Sequence, residues 1–252
     1  MPSAVVMAGG DPDPRLAPGL PNKAFLEMGG RPLVVRVVEA LRGSAAVDRV
    51  VVVGPVQPLR EILGAAADVV PEQDSMMHNV EAALAHVGAT GQVVAVASDL
   101  PLLTAAVVDG FLDRCIDSAD FYYPIVPRAA VEQRYPGARK TFVKMADGTF
   151  CGGSVLMFEA AVIGRIRPFV EQLIAARKKP WLMAQLFGWT TVMKFASGRL
   201  TIAEMEARAH EVVGIRGRAV IVETPELALD VDADRPENLA VLNAALGAGG
   251  PA

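Results

Sequence analysis

The feature that most constrains the fold is a series of short, almost wholly apolar runs separated by stretches in which apolar residues recur at helical spacing. The predicted strands occupy residues 4–7, 49–53, 68–70 and 92–97, and the predicted helices occupy residues 32–41, 59–66, 76–86 and 105–115. Apolar strands that alternate with helices form a parallel sheet with helices on both faces. The pattern therefore predicts a three-layer α/β/α fold with a mostly parallel sheet.

The second half of the chain departs from this alternation. Residues 121–128 have strand character broken by proline, and residues 141–158 predict a hairpin that turns at Ala146-Asp147-Gly148. Helical spacing covers residues 168–195 and 202–210, strand character returns at 219–232, and residues 235–246 predict a closing helix. The α/β frame thus carries an inserted hairpin and a helical segment.

Length and charge limit the classes of function. The chain has 252 residues, of which 52% are hydrophobic, and a formal net charge of −4 at pH 7. Such a length suits one large α/β domain or two small ones. A broad nucleic-acid surface normally needs a basic face, so nucleic acid is not an expected partner. A small, locally basic pocket remains compatible with this balance.

The cysteines and the apolar runs indicate the compartment. Cys115 and Cys151 have no metal-ligand spacing, and they are expected to be reduced thiols. The first apolar run lacks a basic flank and ends in two glycines, which predicts a strand and not a signal peptide. No apolar run approaches the ~20 residues that a membrane span requires. We therefore expect a soluble, cytoplasmic protein.

The loop after the first strand combines glycines with two cations. Gly9 and Gly10 let the backbone turn sharply and approach a ligand closely. Arg15 offers a planar fork for phosphate oxygens, and Lys23 offers a compact charge. Ligands of parallel sheets bind beyond the carboxyl ends of strands, which is where this loop lies. The loop predicts a polyphosphate site, and the alternative is an ordinary glycine turn with surface cations.

Carboxylates follow two of the predicted strands. Asp99 comes just after the strand at 92–97, where it could bind Mg²⁺, which takes one or two carboxylates plus substrate phosphates. The alternative is a capping residue, but Thr104 suits the cap of the next helix better. Asp230, Asp232 and Asp234 cluster near the chain's end, and alternation along a strand allows at most one of the first two to meet Asp99. Arg235 is expected to pair with Asp234.

The variable middle of the chain is the expected acceptor-binding region. Cations gather around the hairpin at Arg134, Arg139, Lys140 and Lys144. Gly152 and Gly153 would allow a ligand to approach the backbone closely. An anionic acceptor, such as a phosphorylated small molecule, suits these residues. The alternative is a solvated basic rim.

The combined motifs resemble one superfamily. VVMAGG, Arg15, PNKAFLEMGGRPLVVRVVEAL, VDRVVVVG, ASDLPLLT and DVDADRPENL are similar to the nucleotidyltransferase (NTP transferase) superfamily. Within it, the chain resembles the MobA-like branch of molybdenum-cofactor guanylyl- and cytidylyltransferases and methylerythritol-phosphate cytidylyltransferases. The resemblance covers residues 1–115 and resumes at about Ile221. It implies a Rossmann-like, GT-A-like nucleotide-diphospho-sugar transferase fold.

The resemblance also implies roles for individual residues. Ala8, Gly9 and Gly10 would hold the triphosphate of a nucleoside triphosphate, with Arg15 and Lys23 as the matching catalytic cations. The metal ligands of the family match Asp99 and Asp230, and the metal would be Mg²⁺. Ser75 and Asn79 match a helix start near the family's base pocket, although Ser75 is equally suited to an N-cap. An Ala-Gly-Gly turn leans towards GTP over CTP.

The loop between Gly10 and Arg15 departs from the family pattern. Asp11-Pro12-Asp13-Pro14 removes two backbone donors and adds two negative charges where phosphates are expected. Three outcomes remain open: Lys23 carries more of the binding, a metal bridges Asp11 or Asp13 to the ligand, or triphosphate binding has been lost.

A basic and aromatic stretch follows the hairpin. Arg177-Lys178-Lys179 precede a helix rich in Trp, Met and Phe between Trp181 and Phe195. Such a stretch is typical of core or of a homodimer interface, and the alternative is peripheral membrane contact or a cover for a lipid-like acceptor.

These features predict a single nucleotidyltransferase domain over residues 1–252, with a nucleotide-binding half at 1–115, an acceptor-binding and helical region at 116–220, and a closing strand and helix at 221–246. The expected reaction is Mg²⁺-dependent transfer of a nucleotide from GTP or CTP to a phosphorylated acceptor, with release of pyrophosphate. The alternatives are a nucleotide-sugar-dependent glycosyltransferase and an inactive nucleotide-binding module.

Overall fold

The structure, a computed structural model, describes residues 1–88, 90–116, 118–176 and 180–248. The strands are β1 (Ser3–Met7), β2 (Glu27–Met28), β3 (Arg31–Pro32), β4 (Val50–Gly54), β5 (Asp68–Pro71), β6 (Gln92–Ala97), β7 (Phe121–Pro127), β8 (Val143–Met145), β9 (Gly148–Gly152), β10 (Val155–Glu159) and β11 (Gly217–Ile221). The helices are α1 (Leu33–Gly43), α2 (Val56–Leu63), α3 (Met76–Val87), α4 (Ala105–Leu112), α5 (Arg128–Arg134), α6 (Ile163–Ala176), α7 (Pro180–Phe187), α8 (Trp189–Ala196), α9 (Ile202–Val213) and α10 (Glu237–Ala248).

Nine of the strands in these described ranges form one sheet. Its order is β5-β4-β1-β6-β10-β7-β9-β8, with β11 paired to the other edge of β7. The four strands β5, β4, β1 and β6 are parallel, whereas β10 runs antiparallel to both β6 and β7. The predicted mostly parallel sheet is confirmed, and the antiparallel β10 is the feature that the strand pattern did not indicate.

Successive residues of a strand point to opposite faces of the sheet, and here both faces are apolar. Helices therefore pack on both faces. Along β1, Ala4 and Val6 belong to an apolar layer with α1 and α4, whereas Val5 belongs to a layer with α3 and α6. The same alternation divides β4, where Val52 lies in the first layer and Val51 in the second. The predicted three-layer arrangement is therefore confirmed.

Most predicted elements occur within a few residues of their expected bounds. The hairpin forms with β8 and β9 paired antiparallel, and Thr104 caps α4 by accepting a hydrogen bond from Val107 N at 3.3 Å. Helix α5 was missed because its seven residues are too short for a clear period. The strand predicted at 219–232 is wrong beyond Ile221, since a 3₁₀ turn at Pro225–Leu227 and irregular backbone follow β11.

The stretch predicted as one helix at 168–195 contains α7, α8 and most of α6. Ala184 and Phe187 are buried, but the side chains of Trp181, Trp189 and Met193 are largely exposed. The core interpretation therefore holds for only part of this stretch, and the homodimer and membrane-contact interpretations stay predictions. The basic run Arg177-Lys178-Lys179 lies outside the described residues. Within the described ranges, no helix is both long and apolar enough to cross a bilayer.

Two adjacent strands bring the predicted site residues to one edge of the sheet. β1 and β6 are parallel neighbours, with Met7 paired to Ala97. The backbone continues this contact beyond the strands, because Ser98 N donates a hydrogen bond to the Met7 carbonyl at 3.3 Å. The glycine turn after β1 and Asp99 after β6 therefore lie at the same carboxyl edge, as expected for a ligand site.

Candidate active site

Asp99 and Lys23 form an ion pair at this edge, in which the Asp99 side chain is buried and the Lys23 side chain is 47% exposed. Lys23 Nζ lies 2.5 Å from Asp99 Oδ2, and the Asp99 side chain is only 3% exposed. Burial raises the pKa of the Asp99 carboxyl, and attraction to Lys23 opposes this shift without cancelling it. Burial is the largest single effect and would lower the Lys23 pKa, but the charge and hydrogen bond of Asp99, together with the charges of Asp230 and Asp232, outweigh it and raise that pKa. No structural role for Asp99 was apparent from the sequence, and the structure shows an ion pair with Lys23.

A second ion pair lies beside the first. Lys140 Nζ donates to Asp230 Oδ1 at 2.7 Å, and the side chains of Lys140 and Asp230 are 9% and 25% exposed. The two pairs are close, because Val231 N donates to the Asp99 carbonyl at 3.0 Å and the charge of Asp230 contributes to raising the Asp99 pKa. Asp230, the predicted partner of Asp99, therefore does reach it. The expected acceptor residue Lys140 belongs to the same cluster.

Asp232 and Asp234 pair with arginines and not with the two lysines of this cluster. Arg235 Nη1 donates to Asp232 Oδ2 at 2.7 Å, so the expected pairing of Arg235 with Asp234 is wrong. The reason is the irregular backbone at 230–234, which does not alternate as a strand would. Asp234 instead accepts a hydrogen bond from Arg15.

The Arg15 guanidinium donates hydrogen bonds to two carboxylates, those of Asp13 and Asp234. Arg15 Nε and Nη2 donate to the two oxygens of Asp13 at 3.0 and 2.7 Å, and Arg15 Nη1 donates to Asp234 Oδ1 at 2.8 Å. The Arg15 side chain is nevertheless 63% exposed. Its hydrogen bonds to Asp13 lower the pKa of that carboxyl. The unusual Asp-Pro-Asp-Pro loop thus supplies a partner for Arg15, the cation expected from the sequence to bind phosphates.

The glycine turn borders a cleft of about 470 Å³. Gly9, Gly10 and Asp11 form one wall, and residues 72–76 with Asn79 form the other. Gly10, at a φ of 118°, donates its N–H to Glu72 Oε2 at 3.0 Å. A Cβ on Gly9 would lie 2.3 Å from the same Glu72 oxygen, so a larger residue there would displace the Glu72 side chain. The carbonyl of Ala8, just before the turn, accepts a hydrogen bond from Asn22 Nδ2 at 2.9 Å, and this contact holds the turn in place.

The two residues predicted to contact the nucleotide both line this cleft. Ser75 also caps α3, accepting a hydrogen bond from His78 N at 3.2 Å. The side-chain oxygen of Asn79 accepts from Gln73 N at 2.5 Å and holds the loop before the helix. Both residues therefore have structural tasks, and their contact with a nucleotide stays a prediction.

The other predicted acceptor residues are dispersed. Arg139 Nε lies 3.1 Å from Glu237 Oε1, and Arg134 donates to the buried Glu226 at 2.6 Å. Lys144 is exposed, with its methylene chain packed against Gly198. Of the cations named for this role, only Lys140 joins the carboxylate cluster.

Other atoms of this chain lie in the space that Gly152 and Gly153 leave open for close approach. A Cβ on Gly152 would lie 1.8 Å from the Tyr123 hydroxyl, and one on Gly153 would lie 3.0 Å from the Leu227 carbonyl oxygen. Burial raises the pKa of the Tyr123 phenol, and the nearby charges of Cys151 and Asp230 add to the shift. The phenol of Tyr123 therefore borders the carboxylate cluster.

Three residues of the site escaped the sequence analysis: Asn22, Glu72 and Tyr123. Asn22 had a usable signal, since Asn is a favoured cap and its side chain accepts from Ala24 N at 2.9 Å. Glu72 and Tyr123 reach the site only through tertiary packing, which no local pattern indicates.

The carboxylate cluster fits a magnesium ion. Asp99 and Asp230 offer hard oxygen ligands, and Mg²⁺ commonly takes two carboxylates with the rest of its shell from phosphates and water. No group of three or more His, Cys, Asp or Glu residues that could hold a metal occurs in the described part of the chain. A metal held here would therefore need ligands from a substrate.

Solved structures share this architecture. A hypothetical transferase from Thermus thermophilus superposes with a TM-score of 0.84 at 37% sequence identity, over 94% of this chain and 99% of that one. CMP:2-keto-3-deoxy-manno-octonic acid synthetase, solved in complex with CTP, superposes with a TM-score of 0.59 at 15% identity, over 98% of each chain. At that identity the second likeness shows the fold alone.

Sequence comparison agrees with the fold. A 2-C-methyl-D-erythritol 4-phosphate cytidylyltransferase from Frankia casuarinae is 34% identical over 131 residues, which is 50% of this chain and 48% of that protein. The match thus spans about half the length of that relative. The model of the MobA-like NTP transferase domain matches residues 4–185, the range that includes the glycine turn, Lys23 and Asp99. The chain therefore belongs to the MobA-like NTP transferase domain family.

Proposed function

We propose that this protein is a Mg²⁺-dependent nucleotidyltransferase that transfers a nucleoside monophosphate from GTP or CTP to a phosphorylated small molecule. The observation that carries the proposal is the meeting of Asp99, Asp230, Lys23 and Lys140 beside the glycine turn. Two carboxylates with two ammonium groups suit the binding of both a metal and phosphates. Family membership supports the same class of reaction.

The chemistry requires no protein nucleophile. An oxygen of the acceptor's phosphate forms a bond to the α-phosphorus of the nucleotide, and the bond from that phosphorus to the β-phosphate oxygen breaks as pyrophosphate leaves. When bound, Mg²⁺ would neutralise charge on the phosphates between Asp99 and Asp230. Lys23 and Lys140 would hold phosphate oxygens in place, and Arg15 would stabilise the leaving pyrophosphate. Positioning and charge neutralisation account for catalysis in such transfers.

We infer that, of these two nucleotides, Glu72 favours GTP, provided that its carboxylate exchanges its hydrogen bond with the Gly10 N–H for the base. Glu72 is an exposed carboxylate on the wall of the cleft opposite the glycine turn. A carboxylate accepts hydrogen bonds only, and guanine presents two adjacent donors on one edge where cytosine presents one donor group. In Glu72→Gln, we expect GTP to bind more weakly while CTP binding changes little. Equal loss for both nucleotides would contradict the preference.

The proposed reaction is tested in two stages. Thermal shift with each NTP, with and without Mg²⁺, should show stabilisation that depends on the metal, because ligands that bind only the folded state raise its stability. Pyrophosphate release is then measured with pools of phosphorylated acceptors. Asp99→Ala should abolish that release, and turnover like that of the wild type would contradict the metal assignment.

The two alternatives give different results in the same experiments. A glycosyltransferase would be stabilised by nucleotide-sugars and not by free NTP. An inactive binding module is favoured by one observation, the enclosure of Arg15 by Asp13 and Asp234. It predicts nucleotide binding without pyrophosphate release, and metal-dependent release with any acceptor would exclude it.

A further inference from the structure

The candidate metal site is already neutralised by the chain itself. Each of the two carboxylates carries its own ammonium group, at 2.5 Å for Lys23 on Asp99 and 2.7 Å for Lys140 on Asp230. The neighbouring Asp232 is neutralised as well, by Arg235 at 2.7 Å. Each carboxylate and its ammonium group together have no net charge, so the cluster offers little net negative charge to an incoming cation.

Lys140 is held on Asp230 by more than its own ion pair. Residues 139–141, here called the docked segment, each contact a different residue of 230–238. The Arg139 N–H donates to Asn238 Oδ1 at 2.7 Å, and Asn238 Nδ2 donates to the Arg139 carbonyl at 2.9 Å. Thr141 Oγ1 accepts from Arg235 Nη2 at 2.8 Å. Asn238 is only 1% exposed, so the backbone before Lys140 is fixed by a buried side chain.

The charge balance differs among the possible ligands. A divalent cation alone would give the cluster an excess of positive charge, with two ammonium groups held close to it. A polyphosphate alone would bring its own excess of negative charge towards Asp99 and Asp230. The metal–nucleotide complex supplies both, because the phosphates can receive Lys23 and Lys140 as the carboxylates receive the metal.

We propose that Lys23 and Lys140 are resident counter-ions that keep the metal site closed to free divalent cations and exchange onto the phosphates of an incoming metal–nucleotide complex. The inference rests on the proposed function in taking Asp99 and Asp230 as the metal's carboxylates. It adds an order of events: metal and nucleotide bind together, and the metal does not bind first.

The test uses Mn²⁺ as a spectroscopic probe for Mg²⁺, with free Mn²⁺ measured by electron paramagnetic resonance in the absence of nucleotide. Lys140→Met removes the charge and keeps the length of the side chain. We expect it to bind Mn²⁺ at least about tenfold more tightly than the wild type, since one like charge at this range shifts affinity by one to three powers of ten. The matched control is Lys144→Met, an exposed lysine on the nearby strand β8, which should leave Mn²⁺ affinity unchanged.

A double variant and a titration of the wild type distinguish the ways in which the proposal could be wrong. Lys140→Met/Asp230→Asn should lose the added Mn²⁺ affinity, which assigns it to Asp230. If Lys140→Met does not fold, the unmodified protein decides: Mn²⁺ should bind weakly alone and tightly with a non-hydrolysable GTP analogue. Tight binding of Mn²⁺ alone to the wild type, or no gain in a folded Lys140→Met, overturns the proposal. Failure of nucleotide to bind would count against the proposed function, while the Lys140→Met titration would still test the counter-ion role.

Discussion

The burial of Asp99 disfavours the charged form of its carboxyl, which lowers the free energy of unfolding of the ligand-free protein. Its carboxyl is almost fully buried, and burial raises its pKa despite the adjacent Lys23. A raised pKa in a carboxyl means that the fold disfavours the charged form. The folded chain therefore places a carboxyl where its charged form is less favourable than in water. Such a residue is better explained by chemistry than by structure.

Asp99→Asn should separate function from stability. Because the folded state keeps the Asp99 proton to a higher pH than the unfolded state, the ionisation of Asp99 lowers the free energy of unfolding as pH rises through that window. The Asn variant lacks this loss, so its stability relative to the wild type should increase from acidic to neutral pH. Its transferase activity should fall at least about a hundredfold, as when one electrostatic stabiliser is removed. Urea unfolding across pH checks the first expectation, and a variant less stable at neutral than at acidic pH, relative to the wild type, would contradict it.

The glycine turn is an element whose shape is imposed by its neighbours. Asn22 donates to the Ala8 carbonyl from one side, and Gly54 at the end of β4 packs against that same carbonyl from another. Asn22 also begins the short 3₁₀ helix that carries Lys23. One backbone group thus connects the turn, the end of a strand and the base of the helix that carries Lys23.

Gly54→Ala tests this connection. The added Cβ would lie 2.6 Å from Ala8 O and 2.8 Å from Leu59 Cδ1, so the backbone of the turn must move. We expect a loss of about 1–3 kcal/mol of stability, as for overpacking, together with weaker nucleotide binding. The matched control is Gly91→Ala, because a Cβ there meets nothing within 4 Å and its φ is not positive. Calorimetry and nucleotide titration of the two variants should therefore differ, and equal effects would exclude a specific contact.

For the molecule as a whole, the α/β/α architecture was readable from the sequence because apolar strands and amphipathic helices are local patterns. The spacing also gave β6 at its observed bounds and placed Asp99 at the correct edge. Local patterns could not supply the partners of the charged residues. Lys140 and Asp230 are 90 residues apart, and whether Arg15 meets a phosphate or Asp234 depends on how two distant loops fold together.

The strand predicted at 219–232 failed for a related reason. The sequence there is apolar and buried, but the burial of Leu227, Leu229 and Val231 arises from packing of an irregular segment and not from pairing in the sheet. Periodicity reports burial and cannot by itself identify which backbone geometry provides it.

Asp234→Asn tests the ion pair between Arg15 and Asp234, two residues that are distant in sequence. The Arg15–Asp234 pair spans 219 residues, yet both side chains are mostly exposed, at 63% and 78%. Exposed pairs contribute little to stability, so the melting temperature should hardly change. Nucleotide affinity should rise severalfold, because one negative charge is removed and Asp13 is left as the carboxylate that competes with phosphates for Arg15. Isothermal titration with a non-hydrolysable GTP analogue measures this, and weaker binding would show that Asp234 instead orients Arg15 for its ligand.

The docking of residues 139–141 on residues 230–238 has a consequence for biosynthesis. A ribosome completes the glycine turn, Asp99 and Lys140 long before residues 230–238 leave its exit tunnel. Until then Lys140 has no carboxylate, Arg139 has no buried amide to receive its backbone groups, and the segment between α5 and β8 has nothing to dock against. The early parallel strands are made first, but the balanced charges of the site form only once residues 230–238 have been made. A chain that has not reached residues 230–238 is therefore expected to carry the glycine turn and Asp99 without the completed site.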